Sequence, residues 1–105
     1  MEIEKFKNLC SDETIIITQH ANRRFQERKI FLDDIESAIF SGKIIEEYPD
    51  DKPFPSCLIL GKSEKNLPLH IVASVDEEFL YIITAYYPSE EKWEKDFMTR
   101  KEKNL

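Results

Sequence analysis

The spacing of apolar residues changes at Gly42, and this change constrains the fold more than any other feature of the sequence. Before Gly42, apolar residues recur at helical spacing, and after it they follow the two-residue period of strands. The strand pattern covers residues 44–48, 57–62, 68–75 and 79–87. The last three segments are joined by connections of five and three residues, and connections this short force neighbouring strands to be antiparallel. The sequence therefore predicts a four-stranded antiparallel sheet.

Two helices are predicted before the sheet. In residues 19–29, Ala21 and Phe25 lie four apart and would face the core, and the Thr18 hydroxyl can accept a hydrogen bond from an amide of the first turn. In residues 32–41, two aspartates favour the start of a helix and Gly42 is suited to end it.

The two ends of the chain also have recognisable patterns. Residues 2–9 predict a short N-terminal helix and residues 13–18 a short strand, because the latter run is β-branched. Ser89 is expected to cap a C-terminal helix that docks Trp93 and Phe97 on the sheet. The expected class is therefore α+β, with two N-terminal helices on a four-stranded antiparallel sheet and a C-terminal helix.

Length and composition predict the general type of protein. The 105 residues fit a single domain, 1–105, in which the tail 101–105 frays. The charged N-terminus and the lack of a long apolar run predict a cytoplasmic protein with no membrane partner. Cys10 and Cys57 lack metal-ligand spacing, so we expect free thiols, no metal and no cofactor.

The positive charge is concentrated in one predicted helix. His20, Arg24 and Arg28 are spaced by four and share a face, flanked by Arg23 and Lys29. The net charge is −6, yet residues 20–29 carry +3 and the rest −9. An acidic chain would not coat nucleic acid, but this face could bind one phosphate or an acidic partner. Alternatively, Arg24 and Arg28 pair with carboxylates such as Glu46 and Glu47 or with an acidic C-terminal helix, or the face is only solvated.

A second polar group is expected at one end of the sheet. Alternation places His70 on the opposite face of its strand from the apolar residues, and the antiparallel pairing brings it near Thr84 or Tyr86. This cluster is either functional or a structural histidine bonded to a neighbouring hydroxyl.

These motifs resemble those of a known family. The residues in question are His20-Ala21, Arg24, Arg28, Ile30, Asp34-Ile35, Ala38-Ile39, Gly42 to Glu46, Tyr48, Pro68 to Val72, Ile83-Thr84, Tyr86, Pro88 and Trp93. Over residues 18–93 the chain resembles an uncharacterised family of small bacterial domains, a branch of the RelE/BrnT-like toxin superfamily.

The resemblance implies a RelE-like fold and a toxin of a toxin–antitoxin pair that cleaves mRNA without metal. RNA and an antitoxin protein are then the expected partners. The hypothetical catalytic residues are His20, His70 and Tyr86, and the phosphate-binding residues are Arg24, Arg28 and Thr84. The chain is acidic, whereas RelE toxins are strongly basic. A non-catalytic module that docks an acidic or antitoxin-like partner through the basic helix face is therefore the alternative, and a domain that binds a small anion is a third.

Overall fold

The computed structural model describes residues 1–102 and shows a mixed α+β fold. Within this range the chain forms three helices and five strands. In chain order they are α1 (Ile3–Asn8), β1 (Ile15–Ile17), α2 (Gln19–Glu27), α3 (Leu32–Ser41), β2 (Lys43–Tyr48), β3 (Ser56–Lys62), β4 (Pro68–Val75) and β5 (Leu80–Tyr86). Over residues 1–102, no helix is long and apolar enough to span a bilayer.

The strands form one sheet in the order β1-β5-β4-β3-β2. Strands β2 to β5 are an antiparallel meander, in agreement with the short connections between them. Strand β1 is parallel to β5, with Ile15 opposite Leu80 and Ile17 opposite Ile82.

The prediction of a four-stranded, fully antiparallel, RelE-like sheet is wrong, because β1 joins the sheet as a fifth and parallel strand. Residues 13–18 do contain the expected strand, but its partner lies at the far end of the domain sequence. Local periodicity carries no information on such a distant partner. Three helices, not two, precede the meander, since α1 is also formed.

The predicted C-terminal helix is also wrong. Residues 93–100, here called the C-terminal strap, fold back so that Trp93 and Arg100 form an antiparallel bridge. The Asp96 carboxylate accepts hydrogen bonds from the backbone amides of Met98 and Thr99. Such local bonds compete with helical ones, which explains the turn. The frayed tail predicted for residues 101–105 lies largely outside the described residues, which end at 102.

The sheet has one face under the helices. Phe6 of α1, Phe25 of α2 and Ile39 of α3 are buried in a core with Ile59 and Ile71 of the sheet. Helix α3 crosses β3 so closely that a Cβ atom added to Gly61 would lie 1.8 Å from the carbonyl oxygen of Ala38.

The opposite face of the sheet is here called the outer face. It is covered at the His70 end by the C-terminal strap, which contacts the His70 ring through Trp93. At the other end the loop before β3 covers it, and the Ser74 hydroxyl donates to the Pro55 carbonyl oxygen at 2.7 Å.

Candidate functional site

Helix α2 presents the basic residues because its other face is held in the core. The Thr18 hydroxyl caps it by accepting a hydrogen bond from the Ala21 amide at 3.1 Å, as predicted. Ala21 and Phe25 are buried, which turns the opposite side of the helix outward. Five exposed side chains lie there and at the helix end, and together they are here called the basic face of α2: His20, Arg23, Arg24, Arg28 and Lys29.

Arg28 joins this face to the edge of the sheet. Its Nη1 donates to the carbonyl oxygen of Ala85 at 2.8 Å and to the Thr84 hydroxyl at 3.4 Å. These acceptors lie on β5 beyond Ile82, the last residue that pairs with β1. The guanidinium therefore binds a β5 carbonyl oxygen that lies beyond the end of β1. Its position is fixed by both α2 and β5.

The carboxylates proposed as internal partners of Arg24 and Arg28 are engaged elsewhere. Glu46 forms a two-pronged ion pair with Arg100, at 2.9 and 3.1 Å, and Glu47 pairs with the N-terminal amine of Met1 at 2.7 Å. Among residues 1–102, no carboxylate lies within 4.0 Å of a cationic nitrogen of α2, Arg28 or Lys29. These side chains therefore form no ion pair within the described chain.

His70 and Tyr86 are brought together as expected, but inside the protein. His70 is 0% exposed. Its Nε2–H donates to the Phe97 carbonyl oxygen at 2.7 Å, because a carbonyl only accepts. In the neutral ring, Nδ1 then accepts from the Tyr86 hydroxyl at 3.3 Å. Burial lowers the pKa of His70 and raises that of Tyr86, so it favours the neutral form of both groups.

The strap holds this histidine through a network that sequence reasoning did not identify. The Trp93 ring meets the His70 ring edge-on at 4.5 Å, and the Arg100 guanidinium lies 4.6 Å above the Trp93 ring. Arg100 pairs with Glu46, which also accepts from the Tyr48 hydroxyl at 2.6 Å. The ion pair with Arg100 holds the pKa of Glu46 below its usual value, while burial and Glu46 raise that of Tyr48 to about 12.

One signal in the sequence could have found part of this network. Glu46 and Tyr48 are two apart on a strand and so share a face. Nothing in the sequence pointed to Arg100, since its place depends on the turn around Asp96.

The predicted site residues therefore fall into two groups. Arg28, Thr84, Tyr86 and His70 form a continuous row from α2 across β5 to β4. His20 and Arg24 lie on exposed α2, and no side-chain hydrogen bond or ion pair connects them to the row within residues 1–102.

The described residues also bear on metal binding and thiol chemistry. Over the part of the chain that the structure describes, no group of three or more His, Cys, Asp or Glu side chains is arranged to hold a metal ion. Cys10 and Cys57 are buried free thiols. Burial raises their pKa values to about 11 and about 12, so both stay protonated at neutral pH.

We expect the stability of the protein to fall as the pH drops below about 6.5, the pKa of histidine in an unfolded chain. The folded-state pKa of His70 is depressed, so in this window the unfolded state binds a proton that the folded state does not. Urea unfolding at pH 5 to 8 measures the slope. His70→Gln should flatten it, whereas His20→Gln, which changes the other histidine, should not. An unchanged slope in His70→Gln would refute the assignment.

Arg28 and Arg24 should differ in their effect on folding. Arg28→Ala removes the bonds to Ala85 and Thr84 and should cost about 1 kcal/mol of unfolding free energy. Arg24→Ala removes an exposed side chain and should change it by less than about 0.5 kcal/mol. Thermal and urea unfolding of both variants measure the difference. Equal losses would show that Arg24 also has a structural partner.

Comparison with known proteins agrees with the sequence resemblance at the level of the domain family. No curated protein and no solved structure matches the chain. The model of one family, described as a domain of unknown function (DUF4258), matches residues 9–87. That range begins just after α1 and includes both the α2 face and the row from Arg28 to His70, and it covers most of the chain. The chain therefore belongs to the DUF4258 family.

Proposed function

We propose that this protein is a binding module that docks an acidic segment of another protein on the basic face of α2. The observation that supports this most is the lack of any carboxylate partner, within residues 1–102, for Arg23, Arg24, Arg28 and Lys29. The remainder of the chain carries nine negative charges in excess. Many carboxylates are therefore available to pair with the basic face of α2. The described carboxylates that form ion pairs nevertheless do so with Lys7, Arg100 and the N-terminal amine.

Two further features support docking. Arg28 is held in place by Ala85 and Thr84, so a partner carboxylate would not have to immobilise its side chain. Arginine presents a planar fork that binds carboxylates through two parallel hydrogen bonds. The resemblance to toxin domains favours an antitoxin-like regulator as the partner, because such a protein would neutralise the basic face.

A metal-independent endoribonuclease is the second candidate, and the row of Arg28, Thr84, Tyr86 and His70 favours it. An RNA phosphate could bind at Arg28 and Arg24, with His20 as the exposed acid–base group. His70 weighs against this candidate because both of its ring nitrogens are engaged and its ring is fully buried. A proton transfer through His70 would require the C-terminal strap to move first.

The two candidates are separated by two measurements. Fluorescence anisotropy with a labelled glutamate-rich peptide should show saturable binding that weakens as salt is added. Arg24→Glu should weaken it by about tenfold, which corresponds to about 1.4 kcal/mol. Lys65→Glu makes the same charge change in an exposed turn outside α2 and should have little effect. Equal losses in both variants, or no saturable binding, would contradict the proposal.

Incubation with RNA in EDTA tests the second candidate directly. The docking proposal predicts no cleavage. Cleavage that is lost in both Arg24→Ala and His20→Ala would instead establish the nuclease and displace the docking proposal.

A further inference from the structure

Strand β1 leaves one edge of the sheet without a partner in the described chain. It is the last strand in the order β1-β5-β4-β3-β2, and within residues 1–102 no other strand pairs with its outer side. On that side the Ile15 amide donates to the Ser11 carbonyl oxygen at 3.0 Å, and the other outward backbone groups of this three-residue strand pair with no strand of the described chain. An edge of this kind can accept an extended peptide as an additional strand.

An apolar groove lies beside this edge. Ile16 is on the outer face, opposite Tyr81 in register, and the Phe54 ring stacks on Tyr81 at 6.4 Å between centroids. Ile16, Ile83 and Phe54 are 37%, 46% and 53% exposed. Together with their neighbours they line a cavity of about 310 Å³. Exposed apolar side chains gathered in one groove are typical of an interaction surface, whereas single ones are ordinary.

The groove is continuous with the basic face. Thr18 lines the groove and is also the residue that caps α2. A strand laid along β1 would therefore run beside the groove and have one end near the start of the α2 helix. The charge of that helix segment is positive and the charge of the rest of the chain is negative. The complementary partner is thus apolar along β1 and acidic at the Thr18 end.

We propose that the outer edge of β1 binds an extended segment of another protein as a sixth strand. Apolar side chains at alternate positions of that segment enter the groove, because side chains of a strand alternate between its faces. Acidic residues at the end nearest Thr18 contact the basic face of α2. This inference rests on the proposed function and adds the form of the partner to it.

A second copy of the chain is the alternative occupant of this edge, and the oligomeric state tests it. Light scattering distinguishes the two, since the proposal predicts a monomer without the partner. A dimer that Ile16→Lys dissociates would overturn it.

The test uses three labelled peptides. The first has glutamates followed by alternating valine and threonine, the second has the same residues in reverse order, and the third has glutamates alone. The first two represent antiparallel and parallel addition to β1, since they place the acidic end near Thr18 in opposite chain directions. At least one of them should bind about tenfold more tightly than the glutamate-only peptide. N-methylation of alternate amides should remove that gain by blocking the backbone hydrogen bonds.

Two variants test whether the gain in affinity of the longer peptides depends on the groove. Ile16→Thr and Phe54→Ser should each remove most of it while binding of the glutamate-only peptide stays unchanged. Phe40→Ser is the matched control, because Phe40 is also about half exposed but lies on α3. Threonine suits a strand and adds no charge, so Ile16→Thr should fold normally, which thermal unfolding verifies.

Each failure has its own meaning. If the glutamate-only peptide binds as tightly as the longer ones, or if Ile16→Thr leaves their affinity unchanged, the strand-addition proposal is wrong and α2 docking survives. If no peptide binds, both proposals are wrong.

Discussion

Trp93→Ala should lower the free energy of unfolding by about 3–5 kcal/mol. Trp93 is 3% exposed although it lies outside every helix and strand of the sheet. Its ring packs against the His70 ring and under the Arg100 guanidinium. Removing it leaves a cavity on the outer face and releases the strap that closes that face. Equilibrium unfolding in urea measures the loss.

A control and a second readout make this prediction specific. Phe40→Ala removes an aromatic ring that is 52% exposed and should cost less than about 1 kcal/mol. In the folded fraction of the Trp93→Ala variant, the pKa of His70 should rise toward that of a free histidine, because burial is the main cause of its lowered value. A loss below about 1 kcal/mol for Trp93→Ala would show that the strap is not packed on the sheet.

Gly61→Val should destabilise the protein by about 3 kcal/mol or more, at or beyond the upper end of ordinary overpacking. A Cβ atom at Gly61 would lie 1.8 Å from the Ala38 carbonyl oxygen and 2.5 Å from its carbonyl carbon. Both atoms are helix backbone, so α3 as a whole must move away from β3 to admit the side chain. Thermal unfolding monitored by circular dichroism measures the effect.

The neighbouring position provides the control. Lys62→Val places the same side chain one residue further along β3, where the residue is exposed and valine suits a strand. It should change the stability by less than about 0.5 kcal/mol. If Gly61→Val is equally mild, α3 does not lie against β3 as closely as the structure shows.

The sequence was sufficient to predict the meander and every local element before it, because these depend on short-range signals. The strand period, the short connections and the Thr18 cap are all contained within a few residues. The fifth strand was missed as part of the sheet because Ile15 pairs with Leu80 across most of the domain. The prediction of a C-terminal helix was wrong because the Asp96 carboxylate accepts hydrogen bonds from the Met98 and Thr99 amides, and these bonds compete with helical ones.

For the candidate site, residue spacing predicted which side chains share a face, but it did not predict which of them are buried. The four-residue spacing of His20, Arg24 and Arg28 implied a shared face, and all three are exposed on it or at its end. The pairing of His70 with Tyr86 followed from the meander. That His70 is enclosed depends on the strap, whose path is set by contacts between Trp93, Arg100 and Glu46. Such long-range contacts leave no periodic pattern in the sequence.

An NMR titration of the ¹⁵N-labelled protein with the glutamate-rich peptide tests the central claim most directly. If the basic face of α2 is the docking surface, the amides of residues 20–28, with Thr84 and Ala85 beside Arg28, should shift progressively and saturate together. The Lys65 turn, which carries an exposed lysine outside α2, should remain unchanged. Shifts that are largest at Lys65, or that never saturate, would contradict the account.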